Sequence, residues 1–149
     1  MTALIIARYA HFAAVFMIVA AILAQQFLVC KTMTRHEVKR VAKIDAMYGL
    51  GALLVLFAGF TLWFFVGKPA GFYSNNWIFH TKLTLYILLG LLSIYPTLFF
   101  LKNRKGNDME TKIIIPSGII ILLRIELGIV IIIPLLATLM SLGIGHFKF

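Results

Sequence analysis

The sequence predicts an all-α integral membrane protein, a four-helix up-down-up-down bundle with both termini outside. Three observations carry this. Apolar runs cover residues 4–29, 46–66, 77–101 and 113–144, and each exceeds or meets the ~20 helical residues that cross about 30 Å of hydrocarbon. The chain is 62% hydrophobic and 13% charged, which excludes a soluble globular domain and a disordered chain. The connections are short, so residues 1–149 form a single transmembrane domain. Backbone polar groups must be paired inside lipid, which makes the runs helices.

The first run is too long and too interrupted for a cleavable signal, and no small-residue cleavage site follows it, so it reads as a membrane helix. At about 100° per residue, Arg8, His11, Val15, Ile22 and Gln26 share one face, with Gln25 at its margin. Cys30 follows. A lone cysteine forms no internal disulfide and belongs to no metal or redox cluster.

The first loop, residues 31–44, carries Lys31, Arg35, Lys39, Arg40 and Lys43 against Glu37. It reads as a basic interfacial continuation of a helix. The third loop, residues 102–112, carries Lys102, Arg104, Lys105 and Lys112 against Asp108 and Glu110, and its polarity predicts a mobile connection. The opposite side has only Arg8, Lys68, Lys82 and Lys148. The positive-inside rule therefore places loops one and three in the cytoplasm and the N- and C-termini outside. The net charge of +9 thus serves topology and lipid headgroups rather than nucleic acid.

On the second helix, Asp45, Tyr48, Gly49, Ala52, Gly59 and Trp63 share a face, and small residues there allow close helix approach. Residues 67–76 are rich in Gly, Pro and Asn, which is turn chemistry. Ser74 or Asn75 is expected to cap the third helix. Phe72, Tyr73, Trp77 and Trp63 fit an interfacial aromatic belt. Pro96 and Pro134 fall inside the third and fourth runs and are expected to bend them.

Polar groups inside hydrocarbon are costly and therefore functional candidates. On the third helix, His80 and Lys82 lie on different faces. Lys82 has two open readings, a site residue or a side chain snorkelling to the outer headgroups. Arg124 and Glu126 are two positions apart on the fourth helix and do not face one another. An Asp45–Arg124 structural ion pair with Tyr48 nearby is expected. Glu126 has no evident partner other than a proton, Lys82 or a second subunit.

His11 lies ~12 Å into the first helix and His80 ~6 Å into the third, by helical rise. Both enter from the same side, on helices expected to stand diagonally. Two such imidazoles can ligate one haem iron from opposite faces. Arg8, Lys68 and Lys82 are placed to pair with propionates. A zinc or copper site is weaker, since no third ligand is near. His36 and His146 lie in the basic loop and the tail and take no part.

The sequences Tyr9-Ala10-His11-Phe12, Asp45-Ala46-Met47-Tyr48-Gly49, Gly67-Lys68, Phe72-Tyr73, Phe79-His80-Thr81-Lys82-Leu83, Tyr95-Pro96 and Arg124-Ile125-Glu126 resemble a bacterial family of four-helix membrane proteins catalogued as a domain of unknown function. The resemblance covers nearly the whole chain and implies a fold and an inner-membrane location. A more distant similarity, through His11, His80, Lys82 and Leu83, points to HemJ-type protoporphyrinogen oxidases and related copper-resistance membrane proteins. It implies porphyrin or haem b binding. The third run has no further histidine after His80, which departs from an oxidase.

Three functions follow as expectations. The first is a redox protein binding one b-type haem or porphyrin between helices one and three, its redox partner unknown. The second is an oligomeric small-ion or proton-coupled transporter using Asp45, Arg124 and Glu126. The third is a structural subunit whose polar groups only fix packing. The partners implied are membrane lipids and a second copy of the chain.

Overall fold

In a computed structural model, residues 1–147 are described; Lys148, expected on the outer side, lies outside them. Four long helices dominate: α1 (Thr2–Leu28), α2 (Arg35–Thr61), α4 (Trp77–Asn103) and α5 (Ser117–Ser141). All four are long and apolar enough to span a bilayer, the second when counted as Arg35–Val66. Their outward faces carry Phe12, Phe16, Phe27, Phe57 and Ile131, all exposed. Such a surface suits acyl chains rather than water.

The second span starts well before residue 46. Thr34 and Glu37 form a capping box, in which the Glu37 amide donates to Thr34 Oγ1 at 3.3 Å and the Thr34 amide donates to the Glu37 carboxylate at 2.7 Å. Two otherwise orphaned amides are thereby satisfied, so the basic stretch is helical from Arg35. At its far end, α2 passes into a π-helical turn, Leu62–Val66, followed by the short α3, Ala70–Ser74. Asn76, rather than Ser74 or Asn75, caps α4 by accepting from the Ile78 amide at 2.9 Å.

The third loop is not without structure. Strands β1 (Thr32–Thr34) and β2 (Lys112–Ile114) pair antiparallel, Met33 opposite Ile113. The ribbon continues through the Ile115 amide to the Lys31 carbonyl at 2.9 Å and the Arg35 amide to the Thr111 carbonyl at 3.0 Å. The apolar pattern alone extends the fourth helix back to residue 113. The ribbon takes those residues instead, and α5 starts after Pro116, a residue suited to the edge of a helix. Gly106, at φ +130°, turns the loop under the Arg35 guanidinium, which donates to the Asp108 carbonyl at 2.8 Å.

Helix α1 packs on α2 and α5, and α4 packs on the same two, so α1 and α4 stand diagonally. Gly51 allows the α1–α2 approach, since a Cβ there would meet Ile18 Cγ1 at 3.0 Å and the Ala14 carbonyl at 3.3 Å. The apolar core has two parts. Ala14, Ile18, Ile22, Tyr48, Leu89 and Val130 fill the middle of the bundle. Met33, Val38, Phe100, Ile113, Ile115 and Ile119 fill the end that carries the ribbon. We call this the basic end and the opposite one, with residues 62–79 and the tail, the aromatic end.

Candidate functional site

Two adjoining hollows lie along the seam between α2 and α4, and Tyr86 and Leu89 border both. The first is a cavity of about 210 Å³ toward the aromatic end. Helix α1 contributes His11, the π-helical turn contributes Trp63, α4 contributes Phe79, Lys82 and Tyr86, and α5 contributes Pro134. The ring of Trp63 stacks on Phe64 at 4.4 Å between centroids and meets the edge of Phe79 at 4.6 Å. The Tyr86 hydroxyl donates to the Ala52 carbonyl of α2.

Two side chains that border this cavity carry a nitrogen without a protein partner. His11 Nδ1 and Trp63 Nε1 are both buried and make no hydrogen bond. Buried polar groups are ordinarily satisfied, so two orphans on neighbouring side chains of one cavity are informative. Lys82 is half-buried beside them and feels the His11 ring electrostatically. Lys82 thus borders the cavity at the aromatic end.

The second hollow, toward the basic end, is bordered by Asp45, Tyr48, Ser93 and Thr97. Behind it stands a buried polar cluster. Gln25 is 1% exposed and donates from Nε2 to Asp45 Oδ1 at 3.1 Å; Asp45 is 6% exposed. Thr97 stands beside the Asp45 carboxyl and Ser93 beside the Tyr48 hydroxyl, the Ser93 hydroxyl donating to the Gly90 carbonyl at 2.8 Å. Glu126 is 1% exposed, interacts with Asp45 and Tyr48, and leaves Oε1 without a partner. Gln26 holds α1 to α5 by donating to the Leu123 carbonyl at 2.8 Å.

The expected pairings need correction. Asp45 takes Gln25, not Arg124, because α5 turns Arg124 to the exposed surface while Glu126 faces the core. The structure does bring Tyr48, Asp45 and Glu126 together. It does not bring His11 and His80 together. His80 lies on the exposed face of α4, outside the cavity, with Nε2 2.9 Å from the Ser74 carbonyl. Arg8 is also exposed, and Lys68 lies over the Phe72 ring at 3.7 Å. Of the five residues expected around a haem, only His11 and Lys82 border the cavity. The residues present do not fit a haem held between His11 and His80. No cluster of three or more metal-ligating side chains occurs among the described residues.

Reading by sequence passes over Thr97 and leaves Trp63 in the aromatic belt; it sets Gln25 at the margin of the marked face of α1, and Tyr86 and Ser93 with Lys82 on one polar face of the third helix, without giving the three a role.

The fold and site define a small multi-spanning membrane protein with a buried acidic pair and an aromatic-walled cavity. The chain belongs to the family described as predicted membrane protein (DUF2214), whose model matches residues 3–145. No curated protein and no solved structure matches it.

Proposed function

We propose that this protein is a proton-coupled carrier of the bacterial inner membrane, with its basic end in the cytoplasm. Asp45 and Glu126 form the proton site, and the cavity bordered by His11, Trp63 and Lys82 takes the solute. One observation carries this reading: Glu126 is buried beside Asp45 with Oε1 unbonded, and the groups around the two are amide and hydroxyl rather than basic. Two neighbouring carboxylates in an apolar bundle are costly when both are ionised. A proton shared by the pair relieves that cost, and its titration belongs to the pair rather than to either residue.

The rest of the seam suits the role. Tyr48, Ser93, Thr97 and Tyr86 provide hydroxyls between the carboxyls and the two hollows. The unequal charge of the two ends supports the orientation. Arg124, on the exposed surface, has no part in it.

Proteoliposomes loaded with a pH-sensitive dye and given an inward potential should acidify faster than protein-free vesicles. Glu126→Gln should return them to the protein-free rate. Infrared difference spectra across a pH change should contain a protonated-carboxyl band that the same substitution removes. A wild-type rate equal to that of bare vesicles, or a band unaltered by the substitution, overturns the proposal.

A further inference from the structure

We infer that the cavity at the aromatic end is a binding site for a small aromatic carboxylate. This deepens the carrier reading by naming its solute class, and it rests on that reading for transport but not for binding. The argument starts from hydrogen-bond chemistry. Lys82 has three donors and no acceptor, and the indole of Trp63 is a donor only. His11 in its neutral form offers one N–H, and the Val55 carbonyl lies within its reach. The side chains of Trp63, His11 and the half-buried Lys82 all border one cavity, and Trp63 Nε1 and His11 Nδ1 have no protein partner. Of the five polar side chains on the cavity wall, Lys82 and Trp63 can only donate, and Tyr73 and Tyr86 add hydroxyls, the latter already donating to the Ala52 carbonyl; a ligand that reaches Lys82 must bring an acceptor. Lys82 adds a positive charge with no carboxylate beside it on the cavity wall, so the complement is an anion. A carboxylate accepts through two oxygens and about four lone-pair sites.

The remainder of the wall sets the body of the ligand. Trp63, Phe79 and Tyr86 present ring faces and edges, and Val130 and Pro134 close the far side. Aromatic rings favour offset or edge contacts with another ring. A cavity of about 150 Å³ already holds benzene; this one, at about 210 Å³, has space for one ring plus a carboxylate. The π-helical turn Leu62–Val66 is what brings Trp63 to the wall, and such turns recur at functional sites. Gly67 ends that turn at a position where a Cβ would lie 1.9 Å from the Leu62 carbonyl and 2.7 Å from the Tyr73 hydroxyl. The turn is thus held in place by close backbone packing.

Trp63 also reports the test. Trp77 is the second of two tryptophans and is 50% exposed, so Trp77→Phe leaves Trp63 as sole emitter. The full chain in neutral-lipid nanodiscs is titrated with benzoate and with methyl benzoate. Benzoate should change the emission saturably, and the uncharged ester should bind at least ~10-fold more weakly, as expected for loss of a charge-assisted hydrogen bond. Lys82→Gln should weaken benzoate by a similar factor, and Lys82→Arg should retain it. The ester comparison uses folded protein throughout, so it stands even if Lys82→Gln fails to fold. No saturable change, or equal binding of acid and ester, overturns the inference. Loss of benzoate binding in nanodiscs of phosphatidylglycerol would assign the site to an anionic lipid headgroup and overturn it as well. Dye acidification reads the proton site and Trp63 emission reads this one, so each reading can fail alone.

Discussion

Gln25 and Glu126 border the same buried cluster, yet their removal should act on stability in different ways. Gln25→Leu keeps the side-chain volume nearly constant and deletes the 3.1 Å donor to Asp45. Asp45 is 6% exposed at the border of the second hollow, so water replaces the lost amide only in part. Hydrogen bonds to a charged partner are worth about 1.5–3 kcal/mol, whereas side-chain bonds measured inside membranes average about 0.6 kcal/mol and reach about 1.7. Thr97 remains beside the carboxyl, and the membrane range applies, which keeps the loss at about 1–2 kcal/mol. Glu126→Gln deletes an oxygen that already has no partner and removes a buried ionisable group. Its cost should be within about 0.5 kcal/mol of zero or favourable. Unfolding in mixed bicelles by added SDS measures both on one scale. In a heating experiment, each kcal/mol should appear as a shift of about 2–4 °C for a chain of this size. Equal destabilisation by the two substitutions would refute the reasoning, because Glu126 would then be bonded to a partner that contributes to stability.

Four further outcomes are expected. Gly106→Ala places a side chain at φ +130°, where a Cβ would lie 2.4 Å from Arg35 Nη1, and should cost about 1–3 kcal/mol by the same SDS titration; Arg35→Ala should not restore the loss fully, since the backbone strain persists. Asn76→Ala removes both the cap on Ile78 and the 2.9 Å bond to the Ile144 carbonyl; a cost of about 0.5–2 kcal/mol and faster carboxypeptidase trimming of the tail should follow. The Thr111 hydroxyl, and then the Glu110 amide, hold the Asp108 carboxyl below the usual carboxylate range. Its folded value lies under its unfolded one, so its contribution is complete above about pH 4 and is lost as the pH falls through the folded value. Hydrogen exchange of the Lys112–Ile114 strand should therefore accelerate below that pH in the wild type and be less dependent on pH in Asp108→Asn. Finally, protein expressed with excess haem should show no Soret band that both His11→Ala and His80→Ala abolish; such a band would contradict the placement of His80 against Ser74.

The four spans were legible because hydrocarbon imposes length and apolarity residue by residue, and each run exceeds what a soluble core helix needs. Helix α2 hides its start in a basic stretch, since the signal is a two-residue capping box rather than apolarity. The ribbon was illegible for a different reason. Its pairing joins residues 32–34 to 112–114, and no local period reports a partner that distant in the chain. Glu126 stood out as a charge in an apolar run, and so did Asp45. Which side chain met Asp45 depended on helix rotation within the bundle, which small moments of hydrophobicity do not set. A wheel places Arg124 and Glu126 on different faces; it does not say which faces inward. Buried amides such as Gln25 decide that, and they resemble ordinary polar interruptions in a list of residues. His11 and His80 resembled a pair because both enter from one end, and the depth of a side chain says nothing of its azimuth.

The β1–β2 ribbon joins the starts of α2 and α5, one from each helical hairpin. At the aromatic end, the α2 side meets α4 through rings, Trp63 against Phe79, and Asn76 ties the tail to α4 within the second hairpin alone. The two hairpins thus resemble tongs with a stitched hinge and padded jaws. Parting the hairpins at the jaws would break ring contacts, whereas parting them at the hinge would break a backbone ladder, and the seam bordered by Lys82 lies at the jaws.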